Sequence, residues 1–462
     1  MAKRVVIVGG GISGLAAAHR LVELGLEKTQ ITLIEASGRL GGTLETRRRD
    51  GFLLERGPDS FISEKPEAVA LAKRLGLESR LIETNETHRR SFIVRNGRLR
   101  PVPEGFQLLA PSRIWPFLTT DIFSLTGKLR MAAELFLPRQ NGKEDESLAS
   151  FVRRRLGREA LDRMAQPMVG GIYTADPETL SLRATLPRFL DMESEHRSLI
   201  LAMLRQGRAQ KIGTSGPRYS LFLTFDDGMD VLVNSLASVL PNVRLNTRVH
   251  EIKSSGAVWT IAAGEESFAA DAVCLAVPAY TAAKLLENAS PRLASQLNAV
   301  KYASTATINF AYPREAIKHP LNGFGFVVPF IEKRSLLACT FSSVKFPGRA
   351  PDDHVLLRAF AGGALQPDVF ALDEAELVTR VEADLRELLN IERAPLFTEV
   401  AKWERSMPQY EVGHLDRVQA IENEVEALEG LALAGNSYRG AGIPDCIRSG
   451  ETAAKRVINS LR

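Results

Sequence analysis

The segment VVIVGGGISGLAAAHRLVELG, residues 5–25, constrains the fold of this chain more than any other stretch. Val5 to Val8 is a short β-branched run of the kind that forms a buried strand. Residues 12–24 carry apolar side chains at helical spacing. Between the two lie Gly9, Gly10, Gly11 and Gly14. In such a strand–turn–helix unit, Gly9 permits the tight turn, Gly11 lets a phosphate approach the backbone, and Gly14 lets the helix lie close to the sheet. The free N–H groups and partial positive charge of the helix N-terminus then suit a pyrophosphate. A second apolar run, Ile31 to Ile34, ends at Glu35. That acid stands about 20 residues beyond the last glycine, where a ribose 2′-hydroxyl needs an acceptor. It also disfavours a 2′-phosphorylated ligand by like-charge repulsion. The expected unit is a dinucleotide-binding βαβ element of an α/β protein.

The stretch after Glu35, EASGRLGGTLETRRRDGFLLERGPDSF, carries a second glycine pair, Gly41-Gly42, behind Arg39, and then an apolar segment ending at Gly57-Pro58. A guanidinium offers a planar fork of donors to phosphate charge. This arrangement resembles the glutathione-reductase-2 class of flavoproteins, which includes amine oxidases, phytoene desaturases and porphyrinogen oxidases. The resemblance implies FAD, with the Arg-x-Gly-Gly stretch against its pyrophosphate and flavin.

A chain of 462 residues is long enough for two or three domains. The flavin domain is expected in three pieces, residues 1–60, 222–280 and 396–462. Its second piece opens a helix at DDGMDVLV and continues into VRLNTRVHEI, which alternates like a strand, and into the buried run DAVCLAVP. Its third piece joins the strand Leu431–Ala434 to a glycine-rich turn and a helix near Pro444. Residues 61–99 and 281–395 read as a mixed-sheet substrate domain, with strands at TATINFAY, GFGFVVP, SLLACTFSS and HVLLRAFAGG. Residues 100–221 read as largely helical.

Ordered motifs along nearly the whole chain narrow the family: GPDSF, RNGRLRPVP, GGIYTADPETLS, NGFGFVVP, FSSVKFP, AKWERSMPQYEVGH and GNSYRGAGIPDCIRSG. Together they are similar to the oxygen-dependent protoporphyrinogen and coproporphyrinogen oxidases of haem synthesis. The resemblance implies an amine-oxidase-like FAD fold with a mixed-sheet substrate domain and a helical domain of the membrane-binding type. It implies non-covalent FAD, because NSYRGAGIPDC lacks the Ser-Gly-Gly-Cys arrangement that links flavin to cysteine. It implies six-electron oxidation of a porphyrinogen to a porphyrin, with three dioxygen molecules reduced to hydrogen peroxide. Hydride passes to flavin N5, so no catalytic side chain is assigned. The scattered His88, His196 and His414 receive no role.

Matching motifs residue by residue places FAD on Gly9, Gly11, Ile12, Ser13, Gly14, Glu35, Ala36, Arg39, Gly41, Gly42 and Gly57. Val249 would meet the adenine through its backbone, and Trp403, Gly442, Ile443 and Pro444 would complete the flavin site. Phe324, Val327 and Phe360 would contact the macrocycle. Asp59 and Ser91 stand where many protoporphyrinogen-type members carry asparagine and arginine. Those departures, with a basic residue at Lys65, resemble the coproporphyrinogen-type enzymes of Gram-positive bacteria. Four propionates need more anion contacts than two, so coproporphyrinogen III is the expected substrate and protoporphyrinogen IX the alternative. Arg90, next to Ser91, would face the other side of a strand.

A formal net charge of +4 gives no argument for nucleic acid. Cys274, Cys339 and Cys446 lack metal spacing and read as reduced thiols of a cytoplasmic protein, with no metal expected. A secretory leader is not expected, because the first strand begins by Val5, and no apolar run is long enough to span a bilayer. The segment PSRIWPFLTTDIFSLTGKLRMAAELFLP mixes aromatic and basic residues. It suits peripheral contact with a membrane surface, packing within its own domain, or a homodimer partner. A haem-pathway partner that takes the product is also consistent with the resemblance. Rival readings are another flavin oxidase or desaturase of this fold, and a non-catalytic flavin-fold binding protein.

Overall fold

The computed structural model describes residues 2–25, 29–140, 144–209, 221–256 and 258–462. The helical stretch expected over 100–221 therefore includes residues 210–220, which lie outside the described residues.

Five parallel strands form the first sheet, in the order Val243–Arg244, Thr29–Ile34, Lys3–Val8, Ala272–Leu275, Leu431–Leu433. By chain position this is the order 3-2-1-4-5 of a doubly wound sheet, whose ligands bind beyond the carboxyl ends of the strands where the order reverses. Side chains of one strand alternate between two cores. Val5 and Ile7 join the core formed with the helices Ile12–Glu23, Asp230–Ser238 and Ile443–Leu461. Val6 and Val8 join the opposite core, with Trp259 and the helices Ala279–Leu286 and Pro291–Asn298. Covering both faces explains why the strands read as continuous apolar runs.

The run VRLNTRVHEI is not one strand. Asn246, at φ 54°, turns the chain between Val243–Arg244 in the parallel sheet and Val249–Ser255 in a three-stranded antiparallel sheet. The turn is fixed by Asn246 N–H donating to the Ser37 carbonyl and Thr247 N–H to the Glu35 carbonyl, both at 2.9 Å.

The second sheet has seven strands, in the order Phe397–Pro408, Tyr302–Pro313, His354–Gly362, Ala338–Phe341, Gly325–Val327, Phe92–Arg95, Arg98–Pro101. All pairs are antiparallel except Gly325–Val327 with Phe92–Arg95, so the sheet is mixed. One face packs on the helix Glu374–Leu389 through Ala306, Ile308, Phe310, Leu357 and Ala359. A third body of helices lies within residues 114–209, with its own core of Phe151, Val152, Leu161, Phe189 and Met203.

Three segments are grouped by the faces they bury or the strands they pair. Phe61, Ala68, Leu71 and Leu77 pack in the core of the parallel sheet, although 61–99 was grouped with the substrate domain. The helices Ala279–Leu286 and Pro291–Asn298 pack there too, on its other face. Phe397–Pro408 is an edge strand of the large mixed sheet. In each case the apolar face of the element decides its membership.

The helices Ile12–Glu23 and Ile443–Leu461 meet backbone to backbone. A Cβ added at Gly450 would stand 2.1 Å from the Ser13 carbonyl oxygen. Gly450→Val should therefore separate the two helices and cost about 2 kcal/mol or more. Chemical unfolding of the variant should show a lowered midpoint, and an unchanged midpoint would contradict this packing.

Candidate flavin and substrate site

The site begins where the parallel strands end. Gly9 has φ 111°, and a Cβ there would lie 2.4 Å from the Ala276 carbonyl oxygen, so glycine is required. A Cβ on Gly14 would lie 1.9 Å from the Gly9 carbonyl oxygen, so the helix approaches the turn as closely as its backbone allows. Gly11 differs: a Cβ there would meet no atom within 4 Å. It caps the helix Ile12–Glu23 in extended conformation, facing open space at a helix N-terminus with no acidic residue in its first turn.

Glu35 closes one side. Its carboxylate accepts hydrogen bonds from Gly10 N–H and Ser37 N–H, both at 2.7 Å, and the residue stays half-exposed. Ala36 beside it is exposed. Gly41 N–H donates to the Gly10 carbonyl at 2.8 Å, and a Cβ on Gly42 would stand 3.2 Å from Gly11 Cα. The second glycine pair thus lies directly on the first turn. Arg39 bonds within the loop that follows Glu35. Its guanidinium donates to the Leu44 carbonyl at 2.9 Å and the Leu40 carbonyl at 3.1 Å, also reaches the Gly42 carbonyl, and pairs with Glu45 at 3.2 Å. It braces the loop that carries the glycines.

The same cradle continues to Gly57, where an added Cβ would stand 1.8 Å from the Thr43 carbonyl oxygen. The Arg56 carbonyl accepts from Trp403 Nε1 at 2.9 Å and from the Thr307 hydroxyl. Gly442 caps the terminal helix, with Ile443 and Pro444 buried in its first turn. Gly450 packs on Ser13, and Cys446 approaches the Ser13 side chain, so the two helix N-termini lie side by side. Val249, half-buried, starts its strand just beyond the turn that holds Glu35 and Ser37.

The mixed sheet brings two expected substrate residues together. Register places Val327 opposite Ala338, Ala338 opposite Phe360, and Phe360 opposite Thr307. Val327 and Phe360 therefore share one row on the face turned away from the Glu374–Leu389 helix. Both are half-buried. Phe324 is not in that row. It precedes the strand, with Gly325 at φ 143° between, and its N–H donates to the Arg90 carbonyl at 2.8 Å. Ser91 is half-buried just before the strand Phe92–Arg95. Lys65 lies elsewhere, its Nζ 2.6 Å from Asp445 in the first turn of the terminal helix.

Glu55, Thr307 and Asn309, and the partners of Asp59, were not found from sequence. Glu55 is buried, accepting from Met229 N–H at 2.8 Å and from the Thr46 hydroxyl at 3.0 Å. Burial pushes its carboxyl up to about 7. Asp59 sits between Lys345, 3.2 Å away, and Arg358, 3.5 Å away. Burial alone would raise its carboxyl, but the charges of Arg358 and Lys345 outweigh it and hold Asp59 well below the ordinary range. Thr307 and Asn309 point from alternate positions of TATINFAY toward the Arg56 and Glu55 carbonyls. Their polarity within an apolar strand was the one available signal.

The model of flavin-containing amine oxidoreductases matches residues 12–458. A coproporphyrinogen III oxidase of Bacillus subtilis (strain 168) is 36% identical over 469 residues, covering 99% of this chain and 98% of the relative. The chloroplastic protoporphyrinogen oxidase of Nicotiana tabacum is 30% identical, with 99% and 85% covered. A crystal structure from Exiguobacterium sp. 255-15 superposes with a TM-score of 0.88 at 32% identity, covering 100% of this chain and 99% of its own.

This chain belongs to the flavin-containing amine oxidoreductases. It is an oxidoreductase with the α/β, amine-oxidase-like FAD fold, and FAD is its cofactor. The residues fit that group: Gly11 leaves open the space a phosphate needs, two helix N-termini converge, and Glu35 lies beside them.

The buried Glu55 has a consequence for stability. Its pKa is raised in the folded protein, so the native state holds the extra proton as pH rises from the ordinary carboxyl value to about 7. Stability is therefore lost across that window. Glu55→Gln keeps an acceptor for Met229 N–H and a donor for Thr46 without the titration. The variant should gain on the wild type by up to roughly 3 kcal/mol between about pH 5 and pH 8. Urea unfolding at the two pH values checks this, and a constant difference would contradict it.

Proposed function

We propose that this protein oxidises coproporphyrinogen III to coproporphyrin III, using non-covalently bound FAD and dioxygen. The observation that carries this reading is the set of full-length relatives named coproporphyrinogen III oxidase, at 32–36% identity. Plastid protoporphyrinogen oxidases match less closely, at 30–31%, and protoporphyrinogen IX is the alternative substrate. The reaction removes six hydrogens from the porphyrinogen, and three dioxygen molecules become three hydrogen peroxides.

FAD supplies the two-electron acceptor for hydride. The chain supplies position. Gly11, Ile12, Ser13 and Gly14 would receive the pyrophosphate at the helix N-terminus, and Glu35 would accept from the ribose. Gly41, Gly42 and Gly57 would let the cofactor lie on backbone. Ile443 and Pro444 would present the terminal helix to the flavin, with Trp403 fixing the Arg56 loop. The row of Val327, Ala338 and Phe360 offers an apolar wall to a tetrapyrrole, while polar groups at its margin hold propionates. Porphyrinogen methylene bridges have weak C–H bonds, so orientation rather than a strong base carries the step.

Lys65 is the proposed propionate contact. Its side chain is 46% exposed, and only one donor direction is spent on Asp445. Steady-state kinetics should give a higher kcat/KM for coproporphyrinogen III, and a tenfold preference for protoporphyrinogen IX would contradict the reading. Lys65→Ala should lower kcat/KM for coproporphyrinogen III by roughly 10- to 100-fold and affect protoporphyrinogen IX less. Equal losses on both would remove Lys65 from substrate discrimination.

We further propose a cytoplasmic enzyme that touches a membrane surface. Among the described residues no helix is long and apolar enough to cross a membrane. Helices Ile114–Thr119 and Leu125–Ala132 nevertheless expose Ile114, Trp115, Leu118, Leu125 and Leu129, while Phe117 and Phe123 are buried. Phe136 is exposed as well, and Arg113 and Lys128 stand in the same stretch of chain, a combination that suits an anionic lipid interface. Co-sedimentation with anionic vesicles should be reduced by Trp115→Ser with Leu129→Ser. Wild-type protein that stays in the supernatant as a dimer would assign the surface to a second copy instead.

A further inference from the structure

A buried cluster of three charges stands at the end of the glycine cradle. Asp59 accepts from Lys345 Nζ at 3.2 Å on each oxygen and lies 3.5 Å from Arg358. Ser60 donates to Asp59 at 2.7 Å and accepts from Lys345 at 3.0 Å. The three charged side chains are only 6–12% exposed. Two cations against one anion leave a net positive charge inside the protein. Such a charge is costly unless something negative compensates it. Arg349 adds to the imbalance, with its donors spent on the neutral Phe225 and Asp226 carbonyls. The carboxylate that acts on it most strongly, Glu55, holds its proton through much of the acidic range.

The cluster connects directly to the cradle. Arg358 Nη1 donates to the Gly57 carbonyl at 3.0 Å. Gly57 packs on Thr43, the neighbour of Gly42, and Gly42 packs on Gly11. Arg358 also follows the row logic of the sheet. It sits two residues before Phe360 on the same face, opposite Thr340 and Asn309. The excess positive charge thus lies between the glycine cradle and the apolar substrate wall.

We propose that Asp59, Lys345 and Arg358 form an electrostatic unit that sets the reduction potential of the bound flavin, with Asp59 acting as a positioning residue rather than a substrate contact. This rests on the FAD assignment given above. Flavin that accepts a hydride takes up two electrons and one proton and becomes a monoanion. A net positive charge at the cradle stabilises that anion over the neutral oxidised form, because the low-dielectric interior screens it weakly. The substrate supplies the hydride and dioxygen reoxidises the cofactor, so no further reactant is required.

The test is the two-electron midpoint potential of the holoenzyme at one fixed pH, with FAD content and circular dichroism measured on each variant. Lys345→Met removes a positive charge and should lower the potential. Asp59→Asn removes a negative charge and should raise it. Each change should alter the reduced-to-oxidised ratio about tenfold, which is about 30 mV for a two-electron couple. Lys345→Arg keeps the charge and should restore the wild-type potential. If Lys345→Met yields no holoenzyme, the upward shift in Asp59→Asn and the wild-type value in Lys345→Arg decide the matter. A purely structural cluster would move both charge-removing variants in the same direction or neither, and that result overturns the proposal. Wild-type protein that binds no FAD would instead overturn the cofactor assignment.

Discussion

The contact on which the rest of the structure depends is the close approach of two helices at their N-termini. Gly14 lets the helix Ile12–Glu23 rest on the Gly9 carbonyl, and Gly450 lets the helix Ile443–Leu461 rest on the Ser13 carbonyl. Neither approach is open to a residue with a side chain. The result is that two helix termini from opposite ends of the chain face one space. Free N–H groups and aligned peptide dipoles from both would then act on one ligand, as proposed for FAD. The parallel sheet fixes the height of that space, because its central strand ends at Val8, where the strand order reverses.

The large mixed sheet depends on this arrangement in turn. Its polar positions, Thr307, Asn309 and Arg358, are tied to the carbonyls of Arg56, Glu55 and Gly57. Its apolar positions Phe360 and Val327, in the row of Thr307, are thereby held at a set offset from the glycine cradle. The proposed cofactor and substrate surfaces are built on separate sheets, yet the segment 55–57 is common to both. Hydride transfer needs that offset held to a fraction of an ångström, and backbone hydrogen bonds to buried side chains supply the rigidity.

What could be read from sequence was local. The strand–turn–helix unit, Glu35, and the second glycine pair lie within about 40 residues, and their spacing carries the chemistry. The strands of the mixed sheet were visible by alternation. Interactions across long separations were not. Lys65 finds Asp445, and Asp59 finds Lys345 and Arg358, only once the chain is folded. That Arg39 bonds to carbonyls of its own loop depends on loop conformation rather than residue type. The break at Asn246 was hidden because an alternating pattern continues through it. The packing partners of residues 61–77 and of Phe397–Pro408 follow from the faces and edges they present, which sequence order does not reveal.

The central claim is that one cradle holds FAD and passes to it the hydrogens of a coproporphyrinogen. It is tested most directly by anaerobic mixing. Purified protein, with its flavin absorbance recorded, is mixed with coproporphyrinogen III in the absence of dioxygen, and air is then admitted. The account predicts one FAD per chain, bleaching of the oxidised flavin on mixing, and recovery in air with three hydrogen peroxides formed per porphyrin. A flavin that binds but is not bleached by the porphyrinogen would contradict it.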